Sequence, residues 1–279
     1  MMKDDLFGLS TDARTTSPTW RIRDQIILVG DSLTHLASLA DHSVDVVITS
    51  PPYNIGINYR SYADKLARSN YLSWLHDVGV QLFRVLKSDG SMFINLGSTN
   101  IDPWLSADVA AVYRNIFTLQ NQITWIKSIS IGEDTVGHFK PIASRRFLNH
   151  NHETIYHFTK LGDVAIDRLA IGVPFKDKSN IKRCGHAQDR RCAGNVWYLP
   201  YDTVQSKTEK YNHPAAFPLS LPKRCLLLHG VPAATVLDPF LGCGTTLVAA
   251  DQLGHVGIGI ELDPVYAQTA FERLTARVV

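Results

Sequence analysis

The sequence predicts an α/β protein whose mostly parallel, twisted sheet has helices on both faces. Short apolar segments of strand length alternate along the chain with longer segments in which apolar residues recur at helical spacing. This alternation is typical of wound α/β folds. A length of 279 residues, with 45% hydrophobic and 19% charged residues, is sufficient for a large buried core.

Predicted strands cover residues 25–30, 46–48, 91–96, 118–126, 153–158, 234–237 and 256–260. Two predicted helices start near residues 33 and 71, and two more cover residues 104–113 and 219–228. Another follows the glycine-bearing turn at 238–246 and runs through residue 250. The last starts at Pro264, where a helix tolerates proline. Asp31 and Ser32 are expected to cap the first helix. Residues 87–90 are expected to close the second helix, and its apolar residues, Trp74 among them, are expected to face the core.

Charge and cysteine content restrict the class of protein. The net charge is only +2, so any affinity for nucleic acid must come from local clusters of basic residues. The four cysteines form no C-x-x-C pair, and no apolar segment reaches the length of a signal-peptide core or a membrane helix. We therefore expect a cytoplasmic protein with no membrane partner. The histidine and cysteine groups within residues 150–157 and 184–192 lack zinc-finger spacing, so no metal site is expected.

A stiff turn, Ser50-Pro51-Pro52-Tyr53, follows the predicted strand 46–48 directly. Each proline fixes its own φ angle, lacks an N–H group and pushes the preceding residue into extended geometry. The turn therefore exposes acceptors, namely the Ser50 hydroxyl oxygen and the carbonyls of Ser50 and Pro51, beside the flat ring of Tyr53. Such acceptors suit the exocyclic amino group of a nucleobase, although a lone motif of this length also fits an ordinary proline turn.

Basic charge is concentrated in residues 160–212, which show little clean periodicity. We predict an insert at 161–212 that separates two parts of a catalytic domain, residues 21–160 and 213–279, and a flexible N-terminus at 1–20. The cations of the insert could contact DNA phosphates or form an ordinary solvated surface. The candidate DNA-binding residues are Lys176, Lys178, Lys182, Arg183, Arg190 and Arg191.

A second motif, near the C-terminus, has the form of a nucleotide-binding βαβ unit. The predicted strand 234–237 leads into the residues DPFLGCGTT and a helix, and the next strand ends in Glu261. Glu261 follows Gly242 at about the spacing of an acid that accepts from ribose hydroxyls. The third glycine of a dinucleotide site is replaced by Leu247. The Asp238 carboxylate at the turn would repel a pyrophosphate but suits a ligand that carries an ammonium group, such as S-adenosylmethionine. Phe240 could pack on the amino-acid arm or the sulfonium edge of that ligand.

The residues TSPPYNIG near the start and DPFLGCGTT near the end resemble the catalytic and cofactor motifs of DNA amino-methyltransferases. Their order, with the insert between them, is similar to the circularly permuted β group of that family. Gly30-Asp31-Ser32, residues 213–218 and Gly259-Ile260-Glu261 add to a likeness that covers most of residues 22–275. The resemblance implies an S-adenosylmethionine-dependent methyltransferase fold with a loop-rich target-recognition insert.

This resemblance implies methyl transfer from S-adenosylmethionine to an exocyclic amine of a base flipped out of double-stranded DNA. Ser50 and Pro51, in a turn made rigid by Pro52, would accept the amino hydrogens, and Tyr53 would stack on the base. The resemblance is compatible with two further partners, a second copy of the chain in a homodimer and a cognate restriction endonuclease. The residues implied to bind the cofactor are Asp31, Ser32, Phe217, Pro218, Asp238, Phe240, Gly242, Gly244, Thr245, Thr246 and Glu261.

Within the family, Ser50 before Pro-Pro-Tyr favours N4 of cytosine, and N6 of adenine is the alternative. Methylation at cytosine C5 requires a cysteine nucleophile, typically in Pro-Cys, whereas every cysteine here follows arginine or glycine. RNA and protein N-methyltransferases usually have asparagine at the position of Ser50. A dinucleotide-dependent oxidoreductase would need the third glycine, and a DNA-binding module without catalysis would not need both motifs.

Overall fold

The computed structural model describes residues 19–276 except 58, 63, 132–133, 138–141, 184, 186–187 and 201–215. Residues 1–18 of the predicted flexible N-terminus therefore lie outside the described residues. So do residues 201–212 of the predicted insert and residues 213–215 of the segment that resembles the family's cofactor-closing segment. No helix in the described part of the chain has both the length and the apolar character that crossing a bilayer requires.

The described strands are β1 (Thr19–Ile22), β2 (Gln25–Val29), β3 (Val44–Thr49), β4 (Leu86–Leu96), β5 (Thr118–Ile126), β6 (Ser128–Ile131), β7 (Asp134–Gly137), β8 (His152–Thr159), β9 (Val196–Tyr198), β10 (Thr235–Asp238) and β11 (Val256–Glu261). The described helices are α1 (Ser32–Ser38), α2 (Arg68–Val85), α3 (Leu105–Tyr113), α4 (Ser179–Arg183), α5 (Ser220–His229), α6 (Thr245–Gln252) and α7 (Pro264–Thr275). β6 and β7 form a separate hairpin, and the other strands form one sheet.

The strand order of the large sheet is β1-β2-β11-β10-β3-β4-β8-β5-β9. The five strands from β2 to β4 in this order run parallel, so the prediction of a mostly parallel α/β sheet is confirmed. β8 runs antiparallel between β4 and β5, and β1 is antiparallel to β2. β9, which lies inside the predicted insert, joins the sheet by pairing Trp197 with Trp125 of β5.

Side chains of β3 alternate between the two faces of the sheet and so contribute to two apolar cores. Val47 packs with residues of α1, α2 and α3 on one face. Val46 and Ile48 pack with residues of α5 and α6 on the other face. α7 packs beside α6, β1 and β2 in a third cluster. Helices therefore cover both faces, as the sequence predicts.

The predicted end of the second helix is wrong. α2 ends at Val85, and Leu86 leaves the helix with φ −67° and ψ 138° to begin β4. Leu86 is buried and pairs with Val44 of β3, and residues 87–90 form an irregular part of β4 before regular pairing resumes at Ser91. The sequence-based assignment also lacked β1, the β6–β7 hairpin, α4 and β9.

A row of hydrogen-bonded polar side chains is buried around His157 of β8. Asn121 Nδ2 donates to His157 Nδ1 at 3.0 Å, which places the imidazole proton on Nε2, 3.0 Å from Ser91 Oγ. The Ser91 hydroxyl then donates to His229 Nδ1 at 3.1 Å. Burial, followed by the effect of His229, lowers the pKa of His157 to about 3, so this imidazole stays neutral in the fold.

The buried imidazole makes stability depend on pH. Below about pH 6.5 the unfolded chain protonates His157 while the fold does not, so acidification favours unfolding by about 1.4 kcal/mol per pH unit. We expect the difference in unfolding free energy between the protein and His157→Gln to narrow as the pH falls from 6.5 to 5, at a rate that rises toward about 1.4 kcal/mol per pH unit. Urea unfolding at several pH values measures it. His76→Gln, at an exposed position, is the control, and a pH-independent difference would contradict the prediction.

Candidate active site

The two sequence motifs meet at the carboxyl edge of the parallel strands. β3 and β10 are neighbours, with Val46 paired to Val236 and Val47 paired to Leu237. The helix after β3, α2, covers one face of the sheet, whereas the helix after β10, α6, covers the other. Ligands of wound α/β folds bind in the crevice that opens where successive helices leave on opposite faces.

A cleft of about 1280 Å³, part of which is open to solvent, lies at this edge. Its lining includes the whole predicted catalytic turn and eight of the residues implied to bind the cofactor. Pro218, Gly244 and Thr246 are outside the lining. The predicted residues that line the cleft are Ser50, Pro51, Pro52, Tyr53, Asp31, Ser32, Phe217, Asp238, Phe240, Gly242, Thr245 and Glu261.

The Ser50 hydroxyl, just beyond β3, has its hydrogen engaged inside the protein. Ser50 Oγ lies 3.2 Å from the Asn95 carbonyl oxygen and 3.1 Å from the Tyr53 hydroxyl oxygen, and these two acceptors share its single hydrogen. A serine hydroxyl has one hydrogen and two acceptor lone pairs. The lone pairs of Ser50 Oγ therefore remain available to a donor in the cleft.

Neighbouring residues hold the proline turn in place. The Tyr71 hydroxyl of α2 donates to the Pro52 carbonyl at 2.8 Å. Asn54 adopts a φ angle of +56°, and its side chain makes two hydrogen bonds to the backbone of Leu66. The buried Asp64 carboxylate accepts from the N–H groups of residues 54, 55 and 57. The acceptor turn is thus rigid before any ligand binds.

Asp238, at the end of β10, is a carboxylate that is only 1% exposed. It accepts from the hydroxyls of Thr49 and Thr246, each at 2.7 Å, and from the Phe240 N–H at 3.1 Å. Burial raises the pKa of Asp238 to about 6, although these three donors lower it. Asp238 therefore ties the catalytic strand, the cofactor turn and α6 together. A contact with a ligand ammonium stays a prediction.

Glu261, at the end of β11, lines the cleft with both oxygens on backbone donors. Oε2 accepts from the Gly242 N–H at 2.7 Å, and Oε1 accepts from the Asp263 N–H at 2.8 Å. Burial raises the pKa of Glu261 to about 7 in spite of these two hydrogen bonds, which lower it. Because a carboxylate oxygen accepts more than one hydrogen bond, Glu261 can also accept from ligand hydroxyls.

Gly244 lies outside the cleft lining and packs against α7, and its contact with the cofactor stays a prediction. Its φ angle is +83°, and a Cβ atom at this position would come within 2.6 Å of the Ala270 Cβ in α7. Thr246 also lies outside the lining and donates to Asp238, and its predicted role in cofactor binding stays a prediction.

Asp31 and Ser32 connect α1 to the cofactor turn. Asp31 Oδ1 caps α1 by accepting from the Thr34 N–H at 2.9 Å and from the Thr34 hydroxyl at 3.0 Å, so the predicted N-cap is confirmed. Ser32 Oγ donates to the Pro239 carbonyl at 2.6 Å. The second Asp31 oxygen takes no part in the cap and can accept from a ligand.

Sequence reasoning missed an aromatic wall and a polar cluster in the cleft. The Trp74 ring centroid lies 5.3 Å from that of Phe240 and 5.9 Å from that of Tyr62. Trp74 is half-buried and lines the cleft, which corrects the expectation that it faces only the core. The aromatic loop after Tyr53 was an available signal for some of these residues. Missed lining residues include Tyr59, Tyr62, Trp74, Asn95, Glu153, Asp263 and Tyr266.

The predicted DNA-binding residues are exposed but differ in their partners. Lys178 forms an ion pair with Asp189, and Arg190 donates to the carbonyls of residues 169 and 170. Both side chains are therefore partly committed inside the protein. The other four predicted cations form no ion pair among the described residues. Arg191 donates only to the carbonyl of the adjacent Cys192. These four cations are Lys176, Lys182, Arg183 and Arg191.

Residues 44–272 match the family described as DNA methylase, and this span contains both motifs. The chain belongs to the N6/N4 DNA methylase family. This DNA methylase is 30% identical over 254 residues to the DNA adenine methyltransferase YhdJ of Escherichia coli K12, across 89% of this chain and 82% of YhdJ. It is 28% identical over 285 residues to the type II methyltransferase M.BglII of Bacillus subtilis, across 98% of this chain and 75% of M.BglII.

Solved structures share the fold of this DNA methylase. The Thermus thermophilus protein TTHA0409, complexed with S-adenosyl-L-methionine, gives a TM-score of 0.61 at 28% identity, over 90% of this chain and 93% of that one. The cytosine-N4-specific PvuII DNA methyltransferase gives 0.68 at 19% identity, over 93% of each chain. The methyltransferase fold implied by the sequence motifs is therefore confirmed.

The Asp238 cluster predicts a pH-dependent cost for losing one donor. We expect Thr246→Val to lower the unfolding free energy by about 1–3 kcal/mol at pH 8, where the Asp238 carboxyl is ionised. The loss should be smaller at pH 5, because the raised pKa leaves the carboxyl protonated there. Urea unfolding at the two pH values measures both losses. Thr269→Val, on the exposed side of α7, is the control, and equal losses at both pH values would contradict the prediction.

Proposed function

We propose that this DNA methylase transfers a methyl group from S-adenosylmethionine to the exocyclic N4 of a flipped cytosine in double-stranded DNA. One observation carries the proposal: a single cleft joins the acceptor turn at Ser50 and Pro51 to the cofactor turn and Glu261. Transfer between two bound reactants requires that both are held at near-attack distance. Neighbouring turns on the paired strands β3 and β10 meet that requirement.

The cofactor half of the cleft fits S-adenosylmethionine by its chemistry. When bound, this cofactor supplies a methyl group on a positively charged sulfonium. Glu261 can accept from ribose hydroxyls, and Asp31 can accept from an adenine amino group. Trp74 and Phe240 offer aromatic faces, and the acids around the turn disfavour a pyrophosphate. The related TTHA0409 structure, which is complexed with S-adenosyl-L-methionine, supports the same assignment.

The acceptor half fits a nucleobase amine. The exocyclic nitrogen is a weak nucleophile because its lone pair is delocalised into the ring. Ser50 Oγ and the Pro51 carbonyl accept its two hydrogens and localise the lone pair toward the methyl group, as preorganised electrostatics require. The Ser50 hydrogen is already engaged by Asn95 and Tyr53, so Ser50 Oγ meets the amine as an acceptor. Tyr53 stacks on a base that has left the duplex.

Adenine N6 is the second candidate target. YhdJ, at 30% identity, is named a DNA adenine methyltransferase. Ser50 before Pro-Pro-Tyr supports cytosine through the family resemblance, and the cytosine-N4-specific PvuII enzyme, at 19% identity, supports only the fold. Cytosine and adenine both present an amine beside a ring nitrogen, so Ser50 and Pro51 have the same role with either base.

A place in a restriction–modification system is the biological setting we propose. M.BglII and M.HpaI of Haemophilus parainfluenzae are named type II methyltransferases, which supports a cognate restriction endonuclease as a partner. The homodimer, the cytoplasmic location and the insert boundaries at 161–212 stay predictions from the sequence.

Removing the Ser50 hydroxyl tests the function directly. We expect Ser50→Ala to keep S-adenosylmethionine binding by calorimetry, while methyl transfer to duplex DNA falls about a hundredfold, the usual effect of losing one preorganised hydrogen bond. Ser73→Ala, at an exposed position on α2, is the control. Nucleoside analysis of DNA treated with the unaltered protein should show N4-methylcytosine. N6-methyladenine would select the second candidate, and methylation of RNA or protein but not DNA would overturn the proposal.

Neutralising exposed cations of the insert tests the DNA surface. We expect Lys182→Gln, Arg183→Gln and Arg191→Gln together to weaken DNA binding and to reduce its salt slope by about one unit for each phosphate that is no longer neutralised. Cofactor affinity should not change. A variant with Arg21→Gln and Arg114→Gln, two exposed cations outside the insert, is the control. An unchanged slope in the triple variant would show that the cluster is a solvated surface.

A further inference from the structure

A polar cluster lies beside Ser50 and has the Glu153 carboxylate at its centre. Glu153 Oε2 accepts from Asn95 Nδ2 at 2.6 Å and from the Tyr53 hydroxyl at 3.2 Å. Glu153 Oε1 accepts from Lys127 Nζ at 2.7 Å. The side chains of Glu153 and Lys127 are only 12% and 18% exposed. The ion pair is therefore largely shielded from water, and its geometry is well determined by its partners.

The chain has room for this cluster because residue 97 is glycine. A Cβ atom on Gly97 would come within 2.9 Å of Tyr53 Cε2 and 3.1 Å of Glu153 Cδ. The antiparallel pairing of β4 with β8 sets Asn95 opposite Ile155, two residues from Glu153. The backbone thus places the carboxylate against both the Asn95 amide and the Tyr53 ring.

Glu153 decides which way the Asn95 amide points. An amide carries donors on nitrogen and acceptors on oxygen, and only the nitrogen can face Glu153 Oε2. Asn95 is 3% exposed and lines the cleft, and its Oδ1 atom has no hydrogen-bond partner within the described residues. Leaving a buried acceptor unsatisfied costs about 1–3 kcal/mol. A donor from the ligand would remove that cost.

We propose that Glu153 is a positioning residue, which orients the Asn95 amide so that Oδ1 shares with Ser50 Oγ one of the two hydrogens of the target amine, while the Pro51 carbonyl accepts the other. This inference rests on the proposed function, because it concerns the same amine. Asn95 acts at two points, since its backbone carbonyl also accepts from Ser50 Oγ. Lys127 occupies the other Glu153 oxygen, balances its charge and leaves Oε2 for the amide.

The arrangement makes an isosteric change harmful. In Glu153→Gln, the ammonium of Lys127 has only donors, so the oxygen of the new amide must remain beside it. The new NH₂ group then faces the NH₂ group of Asn95. Rotating the Asn95 amide by half a turn removes this donor–donor contact, but it presents an NH₂ group to the target amine instead of an acceptor.

A compensating change should restore the acceptor. With Glu153→Gln and Asn95→Asp together, one oxygen of the introduced carboxylate accepts from the new NH₂ group and the other faces the cleft. The total charge of the cluster is also unchanged. A role confined to stability predicts no such restoration of the methyl-transfer rate.

The experiment measures single-turnover methyl transfer to duplex DNA at saturating S-adenosylmethionine. We expect Glu153→Gln to lower the rate about a hundredfold, with unchanged cofactor affinity by calorimetry. Adding Asn95→Asp should recover at least about tenfold of that loss. Glu272→Gln, an exposed glutamate on α7, is the control.

Asn95→Ala provides a second route if the Glu153 variant folds poorly. It should itself slow transfer about a hundredfold, and adding Glu153→Gln should then change the rate less than about threefold, because no amide is left to orient. A Glu153→Gln rate near that of the unaltered protein, or a variant with Glu153→Gln and Asn95→Asp that is no faster than Glu153→Gln alone, would overturn the inference. So would a further large loss of rate when Glu153→Gln is added to Asn95→Ala. If the unaltered protein methylates no DNA amine, the proposed function itself fails, which is a distinct result.

Discussion

The candidate active site depends on one buried carboxylate, Asp238, which joins segments that are far apart in the chain. Thr49 is the last residue of β3, so its hydrogen bond to Asp238 fixes the point at which Ser50 begins the acceptor turn. The hydrogen bond from Thr246 fixes the start of α6 against the same carboxylate. Burial raises the pKa of this group, which shows that its charge is costly here. The hydroxyl donors offset that cost, and the two halves of the cleft are held in register as a result.

The central part of the fold was predictable because its physical signals are local. Parallel strands buried on both faces appear in a sequence as continuous apolar runs, as in residues 46–48 and 256–260. Helix starts at Asp31 and Pro264 carry their own capping chemistry. The end of α2 was mistaken because Gly90 suggested a helix cap, whereas pairing between Leu86 and Val44 extends β4. The short strand β9 depends on β5, which is far away in the chain, and β1 joins β2 through a two-residue turn, Arg23-Asp24, that lacks the usual glycine of such turns.

The candidate site also contains some residues that local sequence indicates and others that it does not. Ser50 and Glu261 lie in motifs whose residue types already indicate acceptors, and the structure places them in one cleft. Asn95 and Glu153 are single polar residues within or beside apolar strands, and only the β4–β8 register brings them together. Trp74 recurs at the helical spacing of core residues, and it does pack against the core, but it also lines the cleft. The spacing of apolar residues does not distinguish these two positions. Tertiary register, which local sequence does not encode, accounts for these differences.

The raised pKa of Glu261 links ligand occupancy to proton release. Near neutral pH the carboxyl is divided between its protonated and ionised forms, because its pKa is about 7. Ribose hydroxyls that donate to Glu261, as proposed, favour the ionised form, so we expect cofactor binding to release a fraction of a proton into the buffer. The heat of association will then vary with the ionisation enthalpy of the buffer. Because protonation removes the charge that accepts from the ribose, a lower pH should also weaken cofactor binding through Glu261, without changing the residues proposed to contact DNA.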